Sequence, residues 1–410
     1  MSAFSIPLSG LAASSSALNV IANNLANLST DGYKDQSLSF AGIFNQMQGT
    51  SGNGDPIQVG NGVEIAGRSS DFSDGNVTST GISSNMALQG NGFFVVQGNG
   101  QTAYTRAGDF TVNSDGYLCT PQGELVMGYP ATNGVVSTGA AMAPISVADA
   151  GVVPGSASTS FQMTTNLNAA ASVGDTFSAP MTVYDSLGES HLLSVNYTNT
   201  GANSWSYSVS LPAADTGGTG SPTVLASGSL TFNSDGTLAS PTGSVGGINI
   251  SGLADGAANM SLTWNLSDSA GNGLITQQSS TSATSASSQN GYASGTLSGY
   301  SILSDGTVQG QFSNNQTIAL GQVAVARFNN NQGLIQSGND YLASFSSGQA
   351  MLGEAGTGGA GTITGGSVEA SNVDLTAEFS KMIEAQQGYQ ANAKVLTTMN
   401  QISQATLQII

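Results

Sequence analysis

Apolar positions follow two different rhythms along this chain. At the N-terminal end, Leu8, Leu11, Ser15, Leu18, Ala22 and Leu25 recur in alternating steps of three and four. That spacing predicts an amphipathic helix over 8–28 with a narrow seam, two of whose members are small. Gly32 follows as a stop signal. The C-terminal end mirrors it. Leu375, Phe379, Met382, Gln386, Tyr389, Ala393 and Leu396 keep the same alternation. Ser371-Asn372-Val373-Asp374 stands before them with capping-box spacing. This helix is predicted to run to about Leu407, roughly 50 Å at 1.5 Å per residue.

Between the ends the rhythm changes to alternation, as in Phe93-Phe94-Val95-Val96 and Leu192-Leu193-Ser194-Val195-Asn196-Tyr197. Three Ser-Asp-Gly tripeptides, at 114–116, 234–236 and 304–306, separate such runs. Asp-Gly between alternating segments is a hairpin signal, because glycine reaches positive φ without steric cost. The middle is therefore predicted to be antiparallel β. The fold class is mixed and mainly β: terminal helices forming a coiled-coil-like stalk, and two sandwich- or barrel-like β-domains between them. Residues 49–62 read as loop. The Ser/Thr/Ala-rich tract 279–290 reads as a linker, and 353–366 as a Gly/Thr/Ala tract before the last helix. The predicted organisation is a helical polymerisation domain (1–30 with 371–410) and a connecting segment (31–70). A first β-domain takes 71–150 with 286–370, and an inserted one takes 151–285.

The two seams each need a partner, since a helix with an apolar stripe must bury it. Either the ends pack on each other within one chain, or they pack against other copies. The polar members Ser15, Gln386, Asn400 and Ser403, of the kind that set register between helices, favour the second.

Charge narrows the function classes. Only 7% of the 410 residues are charged, against a usual ~25%. The basic residues are Lys34, Arg68, Arg106, Arg327, Lys381 and Lys394, and the net charge is −18. A nucleic-acid ligand is excluded, because phosphate neutralisation needs cations. Anionic membrane surfaces are disfavoured for the same reason. The N-terminus lacks a basic segment and a continuous apolar stretch, so no cleaved signal peptide is expected. No continuous run of ~18 apolar residues appears, so no membrane insertion is expected. The single cysteine, Cys119, cannot form an internal disulfide and reads as a small buried strand residue.

Catalytic and metal chemistry have little to build on. His191 stands alone near Asp185 and Glu189, and no Gly-x-Ser-x-Gly elbow accompanies it. It reads as a solvent-facing strand histidine. No clustered metal-ligand spacing appears. Gly90-Asn91-Gly92 precedes a β run rather than a helix, so it reads as a turn and not a phosphate loop. No catalytic residue, metal or cofactor is expected.

The two ends carry a family resemblance. Asn23-Asn24-Leu25-Ala26-Asn27-Leu28-Ser29-Thr30-Asp31-Gly32-Tyr33-Lys34 resembles the N-terminal signature of the flagellar basal body rod and hook protein family. So do Asp71-Phe72-Ser73-Asp74-Gly75-Asn76-Val77 and Ala87-Leu88-Gln89-Gly90-Asn91-Gly92-Phe93. Tyr104-Thr105-Arg106-Ala107-Gly108-Asp109-Phe110 adds a further block. At the C-terminus Val368-Glu369-Ala370-Ser371-Asn372-Val373-Asp374 and the run from Ile383 through Asn392 to Lys394 match it. The motif positions carried over are Asn23, Asn24, Asn27, Thr30, Gly32, Tyr33, Lys34, Ser371, Asn372, Val373, Asp374 and Asn392. Pro180-Met181-Thr182-Val183-Tyr184-Asp185-Ser186-Leu187-Gly188 is similar to the hook branch of the family rather than the rod branch. Gln387-Gly388 departs from the family, which commonly has a basic residue and alanine there.

The resemblance implies a non-enzymatic subunit of a tube that transmits motor torque while bending. Both terminal helices would line the tube. The implied partners are other copies of the chain, the distal rod protein, hook cap and hook–filament junction proteins, and the flagellar export apparatus. The implied place is outside the cell, in the hook. The competing readings are a distal rod subunit and, in a different class, a secreted β-rich adhesin or calcium-stabilised surface protein.

Overall fold

The computed structural model describes residues 4–43, 46–50, 56–98, 100–148 and 151–409. The chain is mainly β with a helix at each end, and it divides into two compact units. The first comprises Met1–Asp149, Gly299–Gly310 and Thr317–Ile410; the second comprises Ala150–Ser298 and Gln311–Gln316.

In the first unit the helices are α1 (Ser5–Ala26) and α2 (Leu375–Ile409). α1 begins three residues earlier than the seam predicts. By length and composition α1 is also apolar enough to cross a membrane, which the lack of a continuous apolar run did not suggest; alanines between the leucines raise its mean hydropathy. Here it packs on α2 and on strands Gln36–Gly42 and Val63–Ser70, which pair antiparallel with each other. Gln46–Thr50 and Pro56–Val59 also pair, so part of the predicted loop 49–62 is strand. Residues 51–55 of that stretch lie outside the described residues.

The β core of this unit is built from both halves of the chain. Phe93–Gly98 pairs antiparallel with Gln101–Thr105, Leu125–Thr132 and Val325–Arg327. Leu125–Thr132 pairs in turn with Thr317–Val323. Phe93, Val95, Tyr104, Tyr129, Ala326, Phe328 and Tyr341 share one buried cluster. Tyr104 and Phe328 meet edge to face at 4.8 Å, a favourable arrangement for aromatic quadrupoles. Two short antiparallel pairs lead from this sheet to the helices. Met86–Gln89 pairs with Thr362–Gly365, and Val77–Ser79 with Ser367–Glu369. Thr362–Gly365 of the predicted Gly/Thr/Ala tract is thus ordered by a partner strand almost three hundred residues earlier in the chain.

The second unit has two five-stranded sheets over one core. One runs in sequence order through Thr176–Tyr184, Ser190–Gly201, Ser204–Leu211, Thr223–Phe232 and Leu238–Ser240, all antiparallel. The other is mixed. Ser160–Asn168 pairs parallel with Met260–Asn265 and with Ile275–Gln278, contrary to the all-antiparallel expectation. The first sheet intervenes in the chain, and so long a connection permits parallel pairing. Ala283–Gln289 closes the other side of Ser160–Asn168 antiparallel. The tract 279–290 is therefore largely a strand and not a linker. Its small polar side chains suit an exposed strand, and composition does not distinguish that from a loop.

The three Ser-Asp-Gly turns form as predicted. Gly116, Gly236 and Gly306 have φ of 82°, 83° and 84°. Each donates its N–H three residues back, to Asn113, Asn233 and Leu303. Cys119 is buried. His191 departs from expectation: only 6% exposed, it bonds Asp185 and Asp215 at 3.1 Å each. Asp215, 24 residues along the chain and invisible to a local reading, joins the nearby Asp185 in allowing a polar ring to be buried there.

Candidate functional site

The residues that carry chemistry gather where the two ends of the chain meet. α1 and α2 run antiparallel. Gly10 faces Asn392, Ser14 faces Gly388 and Asn24 bonds Glu378, so one number falls as the other rises. A Cβ on Gly10 would stand 2.8 Å from the Asn392 amide, and one on Gly388 would stand 3.2 Å from Ser14 Oγ. The glycines let the helices approach this closely, a benefit that offsets the ~1 kcal/mol propensity loss of a mid-helix glycine. Asn392 is fixed by donating to the Gly388 carbonyl at 3.0 Å.

Beside α1, the motif residues form a buried polar knot. Asn24 is fully buried. Its Nδ2 donates to the Gln36 carbonyl at 2.8 Å and to Glu378 Oε2 at 3.1 Å. Its Oδ1 accepts from Gln36 N at 3.1 Å and from the Tyr33 hydroxyl at 3.0 Å. Tyr33 accepts in turn from Asn23 Nδ2 at 3.0 Å. Asn27 donates back to the Asn23 carbonyl and Thr30 donates to Asn27, which shapes the turn leaving α1. Gly32 ends that turn at φ +69°, with the Ala107 backbone where a Cβ would be.

Next in the chain, Lys34 Nζ lies 2.6 Å from Glu369 Oε1 and donates to the Ser73 carbonyl at 2.7 Å. Glu369 Oε2 holds Arg106 Nη1 at 3.2 Å. Arg106 also donates to the Leu88 carbonyl at 2.9 Å. Asn372 bridges three segments. Its Oδ1 accepts from Asp35 N at 2.7 Å, and its Nδ2 donates to the carbonyls of Asp71 and Ser73. Lys381 binds Glu378 at 2.5 Å and Asp35 at 3.6 Å. Among the described residues, every ion pair of a Lys or Arg lies in this junction. The charges shape one another. Burial lowers the Lys34 ammonium, Glu369 pulls it back up and Arg106 pushes it down. Burial raises the Asp35 carboxyl against the pull of Lys381. Glu378 raises the Lys381 ammonium.

The helix cap differs from the capping-box reading. Asp374 is the capping residue, its Oδ1 accepting from Thr376 N at 2.8 Å and Ala377 N at 3.2 Å. Ser371 Oγ accepts only from Val373 N, at 3.4 Å, and Val373 is buried. A carboxylate immediately before the first turn also suits the helix dipole.

The predicted seams are split between two environments. Leu11, Leu18, Leu25, Met382, Ala393 and Leu396 are half-buried. Leu8, Ala22, Leu375, Phe379, Gln386 and Tyr389 are exposed. On α1 the buried residues are Pro7, Val20, Ile21 and Asn24, a different stripe. On α2 the covered side runs through Glu378, Met382, Ala385, Gly388, Asn392 and Leu396, about one residue round from the predicted seam. An exposed apolar stripe remains on α2, with Phe379 at 48% and Ile383 at 55%. Residues 400–407 are exposed throughout, past the stretch where α1 can pair. The residues missed from the sequence are Glu378, Glu369 as an ion-pair centre, and Arg106 as its partner. Their signal was the scarcity of cations: a basic residue in so uncharged a chain is worth pairing.

Four family models match this chain. "Flagella basal body rod protein" covers 6–34, and "Flagellar hook protein FlgE/F/G D1 domain" covers 87–155. "Flagellar basal body protein FlaE D2 domain" covers 156–292, and "Flagellar basal body rod FlgEFG protein C-terminal" covers 364–409. The flagellar hook protein FlgE of Escherichia coli K12 is 39% identical over 98% of each chain. That of Salmonella typhimurium LT2 is 37% identical over 97% of this chain and 98% of its own. That of Rhizobium meliloti is 34% identical over 98% and 97%. The crystal structure of Helicobacter pylori flagellar hook protein FlgE2 shares the fold, with TM-score 0.52 over 72% of this chain and all of that one, at 16% identity.

Proposed function

The chain belongs to the flagellar hook protein family and is a structural subunit of the hook, not an enzyme; on that premise we propose that it polymerises through the exposed stripe of its two terminal helices. The observation that carries this reading is the apolar surface that α2 keeps after packing on α1. Phe379, Ile383, Tyr389 and Leu407, which fall within about 120° of one another round the helix, are all exposed, at 38–73%. Burying a Phe or Ile side chain that is otherwise in water is worth ~1.5–3 kcal/mol, so a row of them favours a helical partner. A second copy supplies the same row and its own Leu8.

In this reading the helical domain (1–30 with 371–410) is the polymerisation domain. The buried knot at 31–35 and 369–378 ties the helices to the first β-domain. The β-domains form the tube wall: 71–150 with 286–370, and the inserted domain 151–285. The terminal helices act as a coiled-coil-like stalk. The tube works outside the cell as a flexible joint between rod and filament, transmitting motor torque. Its partners are the distal rod protein, the hook cap and the hook–filament junction proteins. The chain reaches that place through the flagellar export apparatus. The low charge supports bending, since few ion pairs would lock neighbouring wall contacts. Electron microscopy of the concentrated protein tests the assembly: tubes support it, and persistent monomers of a folded chain refute it.

A further inference from the structure

The second unit buries the only histidine of the chain among three aspartates from three different loops. His191 is the second residue of the strand Ser190–Gly201 and pairs with Val183. Its Nε2 lies 3.1 Å from Asp185 Oδ2, in the turn before that strand. Its Nδ1 lies 3.1 Å from Asp215 Oδ2, in the short helical turn Ala213–Thr216. Asp255 Oδ2, in the loop after Val245–Ile250, lies 3.8 Å from Nε2. Glu189, two residues before His191, is exposed.

Both ring nitrogens face carboxylate oxygens at hydrogen-bond distance. Neutral imidazole has one N–H, so one of these contacts would set a lone pair against a carboxylate; only imidazolium donates twice. No Lys or Arg occurs from residue 107 to 326, so no other cation of this unit can answer the three carboxylates. The loops are also tied to each other. Ala254 N donates to the Asp215 carbonyl at 2.9 Å, and Ala258 N donates to Ser186 Oγ at 2.9 Å. Asp185 is the fixed end of the set, its Oδ1 held by Leu187 N at 2.8 Å and Glu189 N at 2.9 Å.

We propose that His191 is a pH-operated clasp: protonated, it holds the 213–216 turn and the loop of Asp255 against the turn of Asp185, and deprotonated it releases them. Burial alone would lower the His191 value, but its hydrogen bonds to Asp185 and Asp215 outweigh this and raise it. A raised folded value stabilises the closed loops below the ordinary histidine value of ~6.5, and the stabilisation is lost as pH rises through the folded value. Raising the pH through that folded value therefore loosens these loops while the two sheets persist.

The test uses the full chain at concentrations that keep it monomeric. A single histidine gives a single Cε1–H resonance in NMR. Its titration midpoint is expected above ~6.5 and is expected to fall in Asp215→Asn. Amide protection at 213–217 and 251–258, corrected for intrinsic exchange, should drop about tenfold across that midpoint and be flat with pH in His191→Gln. If His191→Gln does not fold, Asp215→Asn carries the comparison, because Asp215 is partly exposed. A midpoint at or below ~6.5 would overturn the clasp, as would unchanged protection. So would a resonance that moves on adding zinc or calcium chloride and returns with EDTA, which would make the cluster a metal site.

Discussion

Lys34 and Glu369 are 335 residues apart in sequence, yet Nζ and Oε1 are 2.6 Å apart and both side chains are 1% exposed. The second carboxylate oxygen of Glu369 binds Arg106, itself 2% exposed. One carboxylate therefore balances two buried cations and ties the segment after α1 to the segment before α2. Removing one member of such a network leaves uncompensated charge in a dry place. Glu369→Gln is expected to cost about 3–5 kcal/mol in chemical denaturation of the full chain. A loss near zero would mean that water reaches the junction.

Gly32 and Gly81 share nearly the same backbone, φ +69° and +70°. They differ in space: a Cβ on Gly32 would lie 2.3 Å from Ala107 N, while nothing stands within 4 Å of one on Gly81. Gly81→Ala should cost about 1 kcal/mol, the strain of a left-handed residue. Gly32→Ala should cost at least ~2 kcal/mol more, because backbone must move. Equal losses in parallel urea melts would show that the Ala107 backbone yields freely.

Assembly can be separated from folding on α2. Phe379 and Ile383 are exposed in the single chain, so Asp at either position leaves the fold alone. In a dry interface an unpaired carboxylate is costly. Phe379→Asp and Ile383→Asp are expected to keep the wild-type circular dichroism spectrum and to sediment as monomer where the parent forms polymer. Normal polymers from both variants would place the assembly surface elsewhere.

Ser156 and Tyr292 exchange two backbone hydrogen bonds, at 2.9 and 3.0 Å. Such antiparallel partners have Cα atoms ~5.5 Å apart, so excising 157–291 and joining them through two glycines leaves the flanking backbone where it was. The shortened chain should fold and still form tubes, with altered curvature in cells and poor swimming. A folded but never polymerising product would show that the removed segment belongs to the primary assembly contact.

Acid should act on the second unit through Asp185. Burial alone would raise this carboxyl, but with Asp255 beside it and the His191 ring and the N–H groups of Leu187 and Glu189 donating to it, it is held at about 2. A depressed folded value contributes stability above the unfolded carboxyl value, and that stability is lost as pH falls through about 2. The melting temperature of wild type should therefore fall between pH 4 and 2. Asp185→Asn should start lower at pH 5 and change less over the same range. Parallel curves for the two proteins would contradict this.

What the sequence determined by itself is what depends on neighbours in the chain. The Ser-Asp-Gly turns at 116, 236 and 306 were legible, because φ at one glycine is a local steric matter. The two helices were legible from 3.6-residue periodicity, and the acidic cap was nearly so. The family motif at 23–34 and 371–374 was visible as residues, but its job was not. That Asn24 meets Glu378 and Asn372 meets Asp35 depends on two chain ends converging, and periodicity says nothing about convergence. Tertiary structure also decided which face of α2 is covered, since a three-four stripe is wide and a one-residue rotation moves its edge. It alone made a strand of Ala283–Gln289, whose partner lies more than a hundred residues earlier. It alone buried His191, because the carboxylates that make burial affordable arrive from loops around 215 and 255. Dihedral preferences act over a few residues; pairing of sheets and charges acts over the whole fold, and only the folded chain brings those partners together.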